Sequence, residues 1–171
     1  MTEVIDVLSE VGVGALVYYL QLCRGAQASR LSIRTIRANR GRHMEAIAII
    51  TILALIQAYI FAIQVGQARV KHGVNAPDTS GHEGFDRMFR VHQNTMEQLI
   101  LFVPALWIFG HFVHEMGGAA VGLLFIISRF IYRGAYLNDP ASRSMGFGLG
   151  ALSLAILLLG GLVGAGMSYM G

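Results

Sequence analysis

Residues 144–171 carry no charge at all. An apolar run of that length matches what a helix needs to cross a hydrocarbon core about 30 Å thick. Three more apolar stretches precede it. Residues 46–65 are twenty positions without a charge, and at about 1.5 Å rise each they also cross. Another stretch lies between Glu97 and Glu115 and holds Pro104, Trp107 and His111. The third begins at Gly117 and stays uncharged only to Ser128, so to span it must carry Arg129 and Arg133 at some depth. The pattern predicts an all-α integral membrane protein with spans at about 46–66, 91–113, 117–137 and 145–170. Composition agrees: 54% of residues are hydrophobic and 13% charged, where soluble domains run near ~25% charged. The lone Cys23 excludes a disulfide-rich secreted module.

The formal net charge of +3 suggests nucleic acid until the charge is located. Six arginines and three acids sit in residues 1–43, whereas residues 44–171 hold seven bases and seven acids. The membrane region therefore has no electrostatic footprint for DNA or RNA, and no nucleic-acid partner is expected. Its bases are segregated. Arg69, Lys71, Arg87, Arg90, Arg129, Arg133 and Arg143 all fall in loops 66–97 and 129–145 or beside them, and the opposite side has none. The positive-inside rule makes the first and third loops cytoplasmic. The membrane is the inner membrane if the cell is bacterial, and the endoplasmic reticulum if eukaryotic.

Residues 1–43 break that pattern, because their arginines precede the first span on the side otherwise free of them. Their apolar run, residues 11–23, is shorter than a span, and Glu3, Asp6 and Glu10 occupy the place of a signal peptide's basic region. The expectation is an upstream extension, with the membrane domain at 44–171 and Met44 as its start. The rival is an interfacial leader helix. Mass spectrometry of the native N-terminus decides, and a peptide covering residues 24–37 sinks the first view.

On the second span, Arg87, Arg90, Asn94 and Glu97 recur at offsets that place them within about 80° on a helix wheel. His92 falls roughly opposite, and Gln93 lies nearer the stripe. Arg87 alone reads as an interfacial anchor. Arg90, Asn94 and Glu97 together read as a functional stripe, since ionisable groups inside a span are costly. On the third span Arg129, Tyr132, Arg133 and Tyr136 share a face at i, i+3, i+4 and i+7. They suit either an interfacial Arg/Tyr belt or a site for an anionic small molecule. Asn138-Asp139-Pro140 marks a turn, and Arg143 follows it. His111, His114 and Glu115 are a weak metal signal, and no metal is expected. Gly146 with Gly150, and Gly160 with Gly164, have the spacing that lets membrane helices approach closely.

The run in residues 85–97, R-x-x-R-x-H-Q-N-T-x-E, resembles the signature of the MAPEG family, membrane-associated proteins of eicosanoid and glutathione metabolism. So do R-x-x-Y-R-x-x-Y followed by Arg143, and the loop APDTSG at 76–81. The resemblance covers roughly 44–171. It implies a four-helix membrane bundle assembled as a homotrimer, with glutathione as co-substrate held between subunits near the cytoplasmic face. By position, Arg90, His92, Asn94 and Glu97 would contact the tripeptide, Tyr132 and Tyr136 would complete the pocket beside Arg129 and Arg133, and Arg143 would activate the thiol. The implied activity is a glutathione transferase or peroxidase. Its partners would be membrane lipid and hydrophobic electrophiles or lipid hydroperoxides arriving from the bilayer. One departure is Gln98, where some eicosanoid-synthesising members have tyrosine, which argues against leukotriene-type substrates. A non-catalytic scaffold of the same fold, or a small transporter, are the rival classes. Against the transporter, the first and fourth spans have no ionisable residue to continue a pathway.

Overall fold

The computed structural model describes residues 44–171; the expectations for residues 1–43 lie outside the described residues. Four long helices follow one another: α1 (Glu45–His72), α2 (Glu83–Phe112), α3 (Glu115–Asn138) and, after a 3-10 turn at Pro140–Arg143, α4 (Ser144–Met170). All four are long and apolar enough to span a membrane. The expected four-helix membrane bundle is therefore the observed one.

The helices begin and end where local chemistry dictates. Arg69, Lys71 and His72 crowd the last turn of α1, where cations suit the exposed carbonyls. Gly73 then takes the left-handed conformation (φ 66°) that stops the helix. His82 caps α2 by accepting a hydrogen bond from the Gly84 amide, and Glu83 and Asp86 lie in the first turn. His114 caps α3 in the same way, accepting from the Gly117 amide at 2.9 Å. Glu115 accepts from the Ala46 amide at 2.9 Å and so satisfies the start of α1. His114 and Glu115, two members of the weak metal signal, thus serve as helix-end partners.

Two helices are longer than the expected spans. α1 continues six residues past position 66, and α2 starts eight residues before 91. The apolar run marks only the part inside hydrocarbon. Caps and the Glu83–Arg87 ion pair at i, i+4 carry the helices on into the interfacial layer. This extension places Arg87 and Arg90 on regular helix rather than in a loop.

The core is built of interlocking aromatic and aliphatic side chains. Ile47, Phe102, Leu106, Phe125 and Leu157 are fully buried, with Phe102 and Phe125 stacked at 4.0 Å. Trp107, expected to pack or face lipid, donates its indole N–H to Thr51 at 3.0 Å and ties α2 to α1. Between membrane helices, close packing rather than water exclusion drives association, and the glycines of α4 make that approach possible. A Cβ on Gly146 would stand 2.4 Å from the Tyr132 amide nitrogen, and one on Gly164 would stand 2.6 Å from a Val113 methyl. A second cluster of Phe61, Met88, Val91 and Tyr132 packs at the other end of the bundle. The outward faces remain apolar, as at Ile52, Ile56, Leu159 and Leu162, and suit contact with lipid.

Candidate functional site

The site forms where α2, α3 and the start of α4 meet. Each element delivers its side chains through local chemistry. Arg87 donates to the carbonyls of Leu137 and Asn138 at 2.9 and 3.0 Å and pairs with Glu83. These carbonyls are the unpaired acceptors at the end of α3, so Arg87 binds α2 to the C-terminus of α3. It also lines a concavity of about 680 Å³ beside Arg90.

The chain then reverses through Asp139 and Pro140. Asp139 accepts from the Ala141 amide at 3.0 Å, and Ser142 donates to the Asp139 carbonyl at 2.8 Å. Arg143 emerges from this turn with its guanidinium 5.5 Å from the centre of the Tyr136 ring. Tyr132 and Tyr136, one turn apart, have ring centres 5.5 Å apart. Gly146 presses α4 against the backbone of Tyr132, which sets how far Arg143 stands from both tyrosines.

Arg90, Asn94, Tyr132, Tyr136 and Arg143 line one cavity of about 190 Å³, joined by Phe147. Five residues chosen from two helical stripes and a turn therefore converge. Phe147 was missed, because nothing in an apolar run distinguishes a phenylalanine facing a pocket from one facing lipid. A wider concavity of about 680 Å³ shares Arg90 and Tyr136 and extends to Gly81, His82 and Asp86. Glu97 does not line the cavity; its carboxylate lies 3.9 Å from Arg90, and both side chains are half exposed.

Besides Glu97, three further expected binding residues do not line the cavity. Arg133 donates through Nε to Gln64 on α1 at 2.7 Å and lies near the Phe61 ring. It shares the helical face of Tyr132 and Tyr136, but at the edge where α1 supplies a nearer acceptor. His92 is partly buried and does not line the cavity. Arg129 has no exposed surface and stands behind the cavity wall. Its Nη1 donates to Asn94 Oδ1 at 3.2 Å, and its guanidinium lies 4.4 Å from the Tyr132 ring centre.

Chemically, the cavity is dominated by cations and donors. Two guanidiniums offer planar forks suited to carboxylates, the phenols offer O–H groups, and Phe147 supplies an apolar wall. Among the described residues, no group of three His, Cys, Asp or Glu side chains is placed to hold a metal. The arrangement fits a small anion with more than one acidic group.

Comparison with known proteins gives the same direction. A model described as the MAPEG family matches residues 47–163. An uncharacterised protein of Synechocystis sp. is 40% identical over 116 residues, covering 68% of this chain and 85% of the relative. Microsomal glutathione S-transferase 2 of Homo sapiens is 35% identical over 124 residues, covering 72% and 84%. Leukotriene C4 synthase of Cavia porcellus is 35% identical over 113 residues, covering 66% and 75%.

Proposed function

The chain belongs to the MAPEG family, and on that premise we propose that it is a membrane-bound glutathione transferase, with peroxidase activity on lipid hydroperoxides. The observation that carries the reading is the convergence of Arg90, Asn94, Tyr132, Tyr136 and Arg143 on one cavity. Glutathione has two carboxylates, an ammonium and a thiol. Arg90 takes a carboxylate as a bidentate fork, Asn94 and the phenols fix the peptide by hydrogen bonds, and Glu97 either meets the ammonium or steadies Arg90.

The reactive species is the thiolate. A free thiol titrates near ~8.5, so little is ionised at neutral pH. Arg143, beside Tyr136 at the cavity mouth, is the cation that holds the sulfur in its charged form. The thiolate then attacks a hydrophobic electrophile entering from the lipid side. No protein nucleophile is needed, in keeping with the single Cys23 outside residues 44–171.

The same reading puts the connection between α1 and α2 and the turn between α3 and α4 on the cytoplasmic side and assembles three copies around a shared site. The half-exposed Arg90–Glu97 pair on a membrane helix supports assembly, because a neighbouring subunit would shield charges that lipid does not solvate. His92 would then be offered to the adjoining copy's site.

The test is titration of the purified protein with glutathione, followed by thiolate absorbance and by turnover of a generic electrophile and of a lipid hydroperoxide. Saturable binding with thiolate formation and turnover is expected. Binding without turnover of either substrate leaves the scaffold reading, and no uptake of glutathione overturns the proposal.

A further inference from the structure

Arg129 is the only fully buried cation among the described residues. Its single hydrogen-bond partner there is Asn94, met by Nη1 at 3.2 Å; Nε and Nη2 are buried without a partner. No carboxylate pairs with it among the described residues. Its flat face rests on Tyr132, 4.4 Å from the ring centre. Asn94 and Tyr132 both line the 190 Å³ cavity, and Arg129 itself does not.

A guanidinium has donors and no acceptor, whereas a carboxamide has one oxygen that accepts and one nitrogen that donates. The group of Asn94 that meets Arg129 is therefore its oxygen. The group left for the cavity is its NH2, which only donates. We infer that Arg129 is a positioning residue that turns the Asn94 carboxamide nitrogen into the cavity and so makes Asn94 a reader of acceptor atoms, a carboxylate or a peptide carbonyl of the bound thiol peptide. The inference rests on the glutathione reading above and names what Asn94 recognises. It also accounts for a buried arginine that does not line the cavity. Without Arg129 the Asn94 side chain loses the partner that fixes its torsions, and its nitrogen is no longer held toward the cavity.

The test uses the full-length protein in lipid nanodiscs, with glutathione as the calorimetric probe. Asn94→Ala loses one hydrogen bond to an anionic ligand, a weakening of about tenfold. Asn94→Asp keeps the pairing with Arg129, so the fold survives and wild-type thermal unfolding is its control. It also aims negative charge at an acceptor, so it binds glutathione more weakly than Asn94→Ala. Asn94→Asp binding as tightly as wild type overturns the inference, because Asn94 then presents no donor. Arg129→Met is expected to raise KM about tenfold with kcat unchanged in the wild-type background, and less than about twofold in the Asn94→Ala background. Arg129→Lys, which restores a donor to Oδ1, recovers most of the affinity. Losses that multiply across the two sites overturn the inference in favour of direct or field-only action by Arg129. If Arg129→Met fails to fold, the comparison of Asn94→Asp with Asn94→Ala still decides. A wild type that takes up no glutathione instead refutes the underlying functional reading, an outcome distinct from the other two.

Discussion

Gly146 lies so close to Tyr132 that a Cβ on it would stand 2.4 Å from the Tyr132 amide nitrogen and 2.6 Å from its Cα. This contact joins α4 to α3 at the point where the two tyrosines and Arg143 face one another. The neighbour is backbone in the middle of a helix, so it cannot turn aside as a flexible side chain would. Gly146→Ala is expected to separate the helices locally, at a cost of about 1–3 kcal/mol. Thermal unfolding in detergent should fall, and glutathione affinity should fall with it. Unchanged values for both would show that α4 can shift without disturbing the cavity.

Arg143 stands on the turn after Pro140, exposed and near Tyr136. Its replacement by alanine should reduce thiolate formation more than glutathione affinity. Removing the cation moves thiol ionisation back up toward ~8.5, and each unit corresponds to ~1.4 kcal/mol. The wild-type rate should therefore persist at neutral pH, while that of Arg143→Ala recovers only as pH rises. Equal thiolate absorbance in variant and wild type would refute the role.

Arg87 bonds the last carbonyls of α3 and does so from a side chain that is 24% exposed. Arg87→Ala should destabilise the bundle by about 1–2 kcal/mol, the range for hydrogen bonds to a charged group at a partly wet site. Turnover per folded molecule should change little. Loss of activity at full stability would instead make Arg87 part of the binding site.

Arg133 is engaged with Gln64 rather than with the cavity. Arg133→Gln is expected to leave glutathione affinity within about twofold, whereas Arg90→Ala, which removes a charged fork from the cavity wall, should weaken it at least about tenfold. Calorimetry on the two variants side by side makes the comparison. Equal losses would return Arg133 to the binding set, by way of a neighbouring copy.

Much of this molecule could be read from residue order. Hydropathy over twenty residues and a 3.6-residue period are local properties, so four spans and two polar stripes follow from the chain alone. Periodicity kept Arg90 with Asn94, and Tyr132 with Tyr136, because residues on one helical face stay together whatever the helix packs against; joining the two pairs to Arg143 was what the family resemblance implied. Tertiary packing decided the rest. Arg129 and Arg133 are one turn apart and chemically identical, yet one is locked behind the cavity by Asn94 and the other is drawn off by Gln64. A helix wheel gives the direction in which a side chain leaves its own helix, but not which neighbouring helix offers it a partner. Phe147 was invisible for a related reason, because which part of an apolar helix meets a pocket depends on the close approach at Gly146.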